Sequence, residues 1–374
     1  MDNSSEMNVA DIENIIDQWS PSWTAWERDN SGLQIGNRSR RVTRILLALD
    51  VSESIIKEAI SKNVQLIITH HPLFFRHPAA ITSANSTGRL ALLLAEHKIA
   101  LLAVHTNLDF TKNGVSFSLA KTLGLTKIQF LTPLKETLAK IVVFAPEDHV
   151  ETVANAMATC GAGLIGNYSS CSFRTNGVGT FLGSDESNPH LGQSNQLEQV
   201  HEIRLEMIAP RARVGNIIAA MKSVHPYEEV AYDIYPLDNP NPNYGMGAIG
   251  ELQKSIGLTD FLSRAKRALQ AEGVRYSGNL QQQIRSIAVC GGSGSELLED
   301  AIRARADIFL TADIKYHTFQ AADQRIALVD SGHWETERII LPVLAKHLRR
   351  AFQQSRVSIQ LMITKKITNP IHYY

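Results

Sequence analysis

The sequence predicts an α/β protein in two parts, interrupted by a smaller α+β domain. Before residue 130, short apolar runs alternate with amphipathic stretches, which is typical of strands buried on both faces of a parallel sheet. The same alternation returns after residue 250, whereas the segment between them has a different pattern. We therefore predict an α/β domain in two halves, residues 1–129 and 251–374, with an inserted domain at residues 130–250.

The predicted elements of the two halves follow from this alternation. The strands are Arg44–Leu49, Val64–Ile68, Ile99–Val104, Arg285–Cys290, Ile308–Thr311, Ile326–Val329 and Val357–Ile363. The helices lie near residues 8–19, after Ser52, and near 86–97, 295–304, 315–323 and 335–353.

The inserted segment reads as strand, helix and polar loop (Gly183–Asn195), then strand, helix and a strand ending at Leu237. That order is typical of a ferredoxin-like domain. The Pro- and Asn-rich stretch Asp238–Tyr244 is the expected exit linker.

Composition excludes several classes of protein. The 374 residues carry 37 basic and 37 acidic side chains, so no global field favours nucleic acid or an anionic membrane. The three cysteines, Cys160, Cys171 and Cys290, lack the spacing of a disulfide framework or a Cys-rich zinc site. No signal peptide or membrane-length apolar run is evident, which predicts a cytoplasmic protein.

Two histidines follow the second predicted strand. His70 and His71 come directly after Val64–Ile68, and the carboxyl ends of parallel strands are where open α/β sheets bind ligands. Neighbouring side chains of a regular strand point to opposite faces. At a strand-to-loop turn stiffened by Pro72, however, both imidazoles could face one crevice. Taken alone, one surface and one buried histidine is the simpler interpretation.

Two other strand ends carry metal-competent groups. His105 and Asp109 follow Ile99–Val104, although Asp109 could equally cap the next helix. His333 and Glu337 follow Ile326–Val329 and would share a helical face if a helix begins near His333. Acidic residues favoured by a helix dipole explain that segment about as well.

Together these strand ends supply more ligands than one tetrahedral zinc ion requires. Three imidazoles and two carboxylates suffice for two divalent ions if one carboxylate bridges them; the candidates are His70, His71, His333, Asp109 and Glu337. Nitrogen and oxygen donors of this kind suit zinc, iron, manganese, cobalt or nickel. The sequence thus predicts a paired metal site of the kind that activates water.

Two further motifs are weaker. The turn Gly291–Gly294 could cradle a phosphate on its backbone N–H groups, but it lacks a P-loop's Lys-Ser/Thr, and a tight glycine turn explains it better. Asp313, Lys315, Tyr316 and His317 follow another strand and could support the metal ligands or contact a substrate. Helix capping by Asp313 is equally consistent.

Taken in order, the segments DNSGLQIG, ILLALDVS, THHPLFF, VHTNLDF, GGSG, TADIKYH and SGHWETE resemble the dinuclear metal centre family labelled GTP cyclohydrolase 1 type 2 homologues. The resemblance covers essentially the whole chain. It implies that the metal ligands are His70, His71, Asp109, His333 and Glu337, with Glu337 as the bridging carboxylate. None of these five positions departs from the family pattern.

The resemblance also carries expectations for the rest of the chain. The long form of the family has an insert similar to the PII and CutA proteins, and HPYEEVAYDIYPL (His225–Leu237) is similar to a segment of it. Members of the family form toroidal hexamers, so a homohexamer is expected. The family label gives thin support to GTP cyclohydrolase chemistry, because nothing in the sequence resembles the cysteine-ligated zinc of classical GTP cyclohydrolase I.

The resulting functional hypothesis is a metal-dependent hydrolase with a small-molecule substrate, such as GTP or another nucleotide. His105 or His317 would carry a proton in the reaction. The alternative is a non-catalytic metal-binding scaffold that senses a ligand or partner through its PII-like insert.

Overall fold

A computed structural model describes residues 6–374 and divides the chain into two compact units. The first unit runs to Thr132 and resumes at Tyr244, and the second spans Pro133–Asn243. The second unit is narrower than the predicted insert because two strands flanking it join a sheet of the first unit. The independence of the insert from the rest of the chain stays a prediction.

The first unit contains two mixed sheets. The strands of the five-stranded sheet, in spatial order, are β1 (Gly32–Ile35), β4 (Ala100–Ala103), β3 (Leu66–Thr69), β2 (Arg44–Ala48) and β15 (Gln360–Ile363). Those of the six-stranded sheet are β11 (Arg275–Ser277), β14 (Ala327–Asp330), β13 (Ile308–Ala312), β12 (Gln283–Ser293), β10 (Gly245–Gly257) and β5 (Thr126–Pro133). In the five-stranded sheet β4, β3, β2 and β15 are parallel, and β1 pairs with β4 antiparallel at one edge. In the six-stranded sheet β14, β13 and β12 are parallel, whereas β11 pairs with β14 and β10 pairs with β12 antiparallel.

Helices cover both faces of both sheets. They are α1 (Val9–Trp19), α2 (Glu53–Ser61), α3 (Ser86–Glu96), α4 (Thr106–Asp109), α5 (Val115–Thr122), α8 (Leu258–Leu269), α9 (Leu298–Arg303), α10 (Tyr316–Ala322), α11 (His333–Glu337) and α12 (Ile340–Gln354). Alternate residues of β2 enter different hydrophobic clusters, Ile45 and Leu47 on one face and Leu46 and Ala48 on the other. Burial on both faces explains why the central strands read as continuous apolar runs.

Local sequence explains where these helices begin. Asn8 and Asp11 form a reciprocal capping box at the start of α1, with bonds of 2.8 and 3.0 Å. Ser52 and Asn85 accept backbone N–H groups at the starts of α2 and α3. The predicted helix near 335–353 is in fact two helices, because the chain turns between α11 and α12.

The second unit is a four-stranded antiparallel sheet with two helices. Its elements, in chain order, are β6 (Leu138–Ala145), α6 (Val150–Thr159), β7 (Phe173–Leu182), β8 (Leu197–Pro210), α7 (Val214–Val224) and β9 (Tyr232–Leu237). The strands are arranged β7-β8-β6-β9. Both helices pack on one sheet face, over residues such as Ile141, Val143 and Leu205. The sequence pattern missed β7, whose residues are largely exposed and so lack the alternation of a half-buried strand.

Within residues 6–374, no helix combines the length and the apolar character that crossing a membrane requires.

The two points at which the chain leaves and re-enters the first unit lie close together, which leads to a first prediction. The carbonyl oxygen of Thr132 lies 2.7 Å from where a Cβ on Gly245 would be. We therefore expect a chain with Pro133–Asn243 replaced by a short Gly-Ser linker to fold and to bind as much metal as the full chain. Circular dichroism and elemental analysis measure the two properties. Loss of folding or of all metal would show that this segment is integral to the first unit.

Candidate metal centre

The carboxyl ends of strands from both sheets of the first unit converge. His70 and His71 follow β3, and Asp109 ends the short helix α4 that follows β4. His333 and Glu337 are the first and last residues of α11, which follows β14 in the other sheet. The sequence pattern identified these strand ends, but it did not show that two separate sheets contribute them.

The five side chains predicted as ligands approach one another closely. The Nε2 atom of His70 lies 3.5 Å from Asp109 Oδ1 and 3.7 Å from Glu337 Oε1. The other carboxylate oxygen of Glu337 lies 3.0 Å from His71 Nε2, while His333 Nε2 lies 3.1 Å from Oε1. Two ligands of one tetrahedral zinc ion are about 3.4 Å apart, given metal–ligand distances of about 2.1 Å. The observed spacings therefore suit ligands of metal ions.

Each histidine is oriented by an acceptor at its other ring nitrogen. His70 Nδ1 donates to the carbonyl of Val104 at 2.8 Å, and His71 Nδ1 donates to Asp50 at 2.7 Å. His333 Nδ1 donates to Asp313 at 2.6 Å. Partners of this kind fix the ring orientation and tautomer of metal-binding histidines. The three Nε2 atoms are thereby directed into the cluster.

The polar atoms of the cluster lack sufficient partners from the protein. His70 Nε2, Asp109 Oδ1 and Glu337 Oε2 are all buried without a satisfactory hydrogen-bond partner. The Nε2 atoms of His71 and His333 lie only 3.3 Å apart. Each Nδ1 donates to a carboxylate, so at that separation two neutral rings would oppose lone pairs and two charged rings would oppose N–H groups; only a pair with one charged ring avoids this repulsion. Unpaired buried polar atoms are also costly. A cation between these atoms would remove both costs, so the donor set fits divalent metal.

Two overlapping groups of candidate ligands occur among residues 6–374. One consists of His70, His71 and His105, and the other of His71, His333 and Glu337. His105 thus belongs to the cluster, and its Nδ1 donates to Asp29 at 2.8 Å. His317 does not, because it is exposed on α10 and bonded to Gln320 at 2.9 Å. The structure therefore separates the two histidines that the sequence suggested as proton carriers.

The turn Gly291–Gly294 makes room for the cluster, and its three glycine N–H groups are already engaged. The backbone N–H groups of Gly291, Gly292 and Gly294 donate to the hydroxyls of Ser116, Thr336 and Thr311. A Cβ on Gly292 would lie 2.0 Å from Glu337 Oε1, and the φ of Gly292 is +64°. The phosphate-cradle interpretation of this turn therefore loses its support, since those donors are already engaged.

Sequence reasoning missed Asp50 and Asp29 as orienting residues. Asp50 stands just beyond β2, the strand beside β3, and Asp29 precedes β1, the neighbour of β4. The strand-end argument that selected the histidines would have found Asp50. Asp29 lies before its strand, so only the DNSGLQIG segment could have indicated it.

Buried charge perturbs the titration of the cluster. Burial alone would lower the pKa of His71, but the carboxylates of Asp50, which accepts from its Nδ1, and of Glu337, 3.0 Å from its Nε2, raise that pKa to about 10. Burial would also lower the pKa of His333, but the carboxylates of Glu337 and Asp313 raise that pKa to about 9. Burial would raise the pKa of Glu337, yet the charge on His70 and hydrogen bonds from the histidines hold it well below its usual range.

These shifts give a second prediction, which concerns proton release. Without metal, His71 and His333 are charged at pH 7, and each must lose a proton to become a ligand. We expect zinc binding at pH 7 to release at least about two protons per chain, because the neighbouring carboxylates also raise the pKa of the proposed ligand His70 against the effect of its burial. Titration calorimetry in buffers of different ionisation enthalpy measures this number. Binding without proton release would contradict the charged state of these imidazoles.

The same shifts determine how the stability of the metal-free protein depends on pH. Both folded-state pKa values exceed the unfolded value of about 6.5. The stabilisation is therefore fully present below about pH 6.5 and is lost as the pH rises through the folded values of about 9 and about 10. The thermal unfolding midpoint of the metal-free protein should therefore decrease as the pH is raised from about 6.5 to about 10. A midpoint that rises over this range would contradict the expected sign.

Comparison with known proteins identifies relatives of this chain over nearly its whole length. The curated relatives include proteins named "GTP cyclohydrolase 1 type 2 homolog" from Halalkalibacterium halodurans and Bacillus subtilis. They are 37% and 36% identical to this chain, over 98% and 99% of it and over their own full length. A solved Bacillus cereus protein related to NIF3 is 36% identical, with a TM-score of 0.87 over 98% of this chain and 99% of its own.

A solved Staphylococcus aureus protein is 30% identical, with a TM-score of 0.79 over 98% of this chain and 99% of its own. Residues 7–370 match the Duf34/NIF3 (NGG1p interacting factor 3) family. The resemblance inferred from the motifs is thereby confirmed: the chain belongs to the Duf34/NIF3 family, whose curated relatives carry the cyclohydrolase-homologue name.

Proposed function

We propose that this protein is a dinuclear metal-dependent hydrolase acting on a nucleotide or another phosphorylated small molecule. The observation that supports this most strongly is the convergence of His70, His71, Asp109, His333 and Glu337, with three of their buried polar atoms lacking partners. When bound, a pair of divalent ions would supply Lewis acidity that activates water and stabilises a leaving oxygen. Zinc, iron, manganese, cobalt and nickel all suit these donors.

The residues would divide between the two ions. His70 and Asp109 would hold one ion, and His71 and His333 would hold the other. Glu337 would bridge them, since its two oxygens reach both groups of ligands. The carboxylates of Asp50 and Asp313 would keep two of the imidazoles in position.

We propose His105 as the proton carrier in preference to His317. Asp29 holds His105 Nδ1, and Thr106 and Ser31 donate to the same carboxylate, so the ring is fixed with its other nitrogen toward the cluster. His317 has no comparable position. A histidine in this arrangement can accept a proton from the nucleophile or donate one to the leaving group.

For the rest of the chain, two finer proposals follow from the family. The βαββαβ order and antiparallel sheet of Pro133–Asn243 support a ferredoxin-like domain of the PII/CutA kind. We further propose a homohexamer, which light scattering tests; a strict monomer would contradict it. The scaffold alternative lacks a specific observation of comparable weight.

The function is tested by turnover across a panel of nucleotides and phosphoesters with metal-loaded protein. A real activity should vanish with chelator and with His333→Ala, because both remove ions that the reaction requires. His105→Gln should lower kcat by about 100-fold, as expected for loss of general acid–base catalysis.

His317→Gln is the matched control for these measurements and should retain wild-type kcat. All variants are purified identically, so that a contaminating phosphatase gives the same rate in each preparation. Equal turnover by the wild type and His333→Ala would refute the hydrolase proposal and favour the scaffold.

A further inference from the structure

A cavity of about 600 Å³ opens beside the metal centre of the first unit. His71 and His333 form part of its wall, so a molecule in the cavity would lie against two of the proposed ligands. Another part of the wall is the chain segment after β15, Ile367–Ile371. A volume of this size is within the range of about 300–1,000 Å³ that is typical of small-molecule sites.

The C-terminal wall is held in place by hydrogen bonds. Thr368 donates to Asp50 Oδ2 at 2.5 Å and accepts from Trp334 Nε1 at 3.2 Å. Asn369 donates to Glu335 Oε1 at 2.9 Å. The other oxygen of Asp50 accepts from His71, so one carboxylate orients both the cavity wall and a proposed metal ligand. The cavity is therefore preorganised together with the metal centre.

The lining has little capacity to bind a charged group. Its apolar members are Leu49, Val51, Trp334, Ile367, Pro370 and Ile371. No Lys or Arg is among the described residues that line it, and its carboxylate, Asp50, is already engaged. The nearby guanidinium of Arg338 stacks on the Trp334 ring at 4.7 Å and also donates to Leu269 and Gln270. Away from His71 and His333, a polyphosphate chain in this cavity would thus lack a cationic partner.

We propose that this cavity binds the uncharged ring of the substrate, the base of a nucleoside, and directs the reacting group toward His71 and His333. The inference rests on the proposed hydrolase function and specifies which part of the substrate this face recognises. Apolar side chains would contact the faces of the base. Ser52 Oγ accepts from the Ile55 N–H and lies 3.0 Å from Ser54 Oγ, and the remaining lone pairs of this hydroxyl pair would bond to the polar edge of the base.

Binding of nucleosides without phosphate tests the proposal. Guanosine, adenosine, cytidine and uridine are titrated calorimetrically into zinc-loaded full-length protein. We expect at least one to bind, and Ile371→Asp to weaken that binding at least tenfold, since a carboxylate would enter an apolar wall. Ile371 is 51% exposed, so the substitution should leave the fold and the metal content unchanged.

Ile81→Asp is the matched control. Ile81 is 48% exposed and lines a different cavity. The Ile81→Asp protein should therefore bind nucleosides with the same affinity as the wild type. Inorganic phosphate, which the ions alone can hold, should bind equally well to both variants. The proposal is overturned if no nucleoside binds, or if Ile371→Asp and Ile81→Asp bind it equally. These experiments measure binding and not turnover. The turnover panel tests the hydrolase proposal, so the two proposals can fail independently.

Discussion

Replacing Glu337 with alanine should remove both metal ions, the largest effect that we expect from a single side chain. Its two carboxylate oxygens lie 3.0 Å from His71 Nε2 and 3.1 Å from His333 Nε2, and one of them also approaches His70 at 3.7 Å. A bridging ligand contributes to both ions, so its loss should weaken each by at least the roughly 10–100-fold known for supporting residues. Elemental analysis after loading and desalting should fall from about two ions per chain to nearly none.

Two further variants make this result specific. Asp109→Ala should leave about one ion, because Asp109 approaches only His70 within the cluster. Glu335→Gln is the matched control, since Glu335 is buried on the same short helix but bonds to Asn369 instead. It should retain about two ions per chain. A Glu337→Ala protein that keeps one tightly bound ion, or a wild type that never binds two, would refute the bridging role.

Gly292→Ala should disrupt the metal centre without removing any ligand. The new Cβ would lie 2.0 Å from Glu337 Oε1 and 3.2 Å from His333 Nε2, so the carboxylate must move. The backbone φ of +64° adds a steric cost of about 1–2 kcal/mol for any residue with a Cβ. We expect metal affinity to fall roughly 10–100-fold, as for loss of a supporting residue, and the unfolding midpoint of the metal-free protein to fall as well.

Gly215→Ala is the corresponding control for this substitution. Gly215 lies in α7, and nothing is within 4 Å of where its Cβ would be. Alanine there should stabilise the helix by about 1 kcal/mol and leave metal binding unchanged. Competition with a chromophoric chelator measures affinity in both variants. Unchanged affinity in Gly292→Ala would show that Glu337 does not need the space which the glycine provides.

Much of the site was predictable because its residues sit at strand ends. The apolar runs before His70 and Asp109 and before His333 are strands buried on both faces, and such strands are recognisable from sequence alone. A ligand directly after a parallel strand lies at the carboxyl edge of its sheet. That argument needs no tertiary information, and it indicated the five predicted ligands as well as His105, which the structure also brings to the cluster. The spacing of His333 and Glu337 on α11 was equally local.

Other features could not be read from the pattern. That β3 and β14 belong to different sheets depends on strand pairing between distant segments, which periodicity does not encode. The strands β5 and β10 were not predicted, and the boundaries placed at residues 130 and 250 fall within them, whereas pairing places both strands in the six-stranded sheet. The exposed hairpin strand β7 had no apolar alternation to reveal it.

The sequence by itself determined the family, the α/β character of both halves and the residues at the strand ends. Only the tertiary structure decided which histidine joins the cluster, what the glycine turn does and where a substrate could lie. His105 and His317 have similar local contexts, yet Asp29 holds one while the other is solvent-exposed. Such distinctions depend on contacts between residues far apart in the chain, and those contacts exist only once the two sheets have packed.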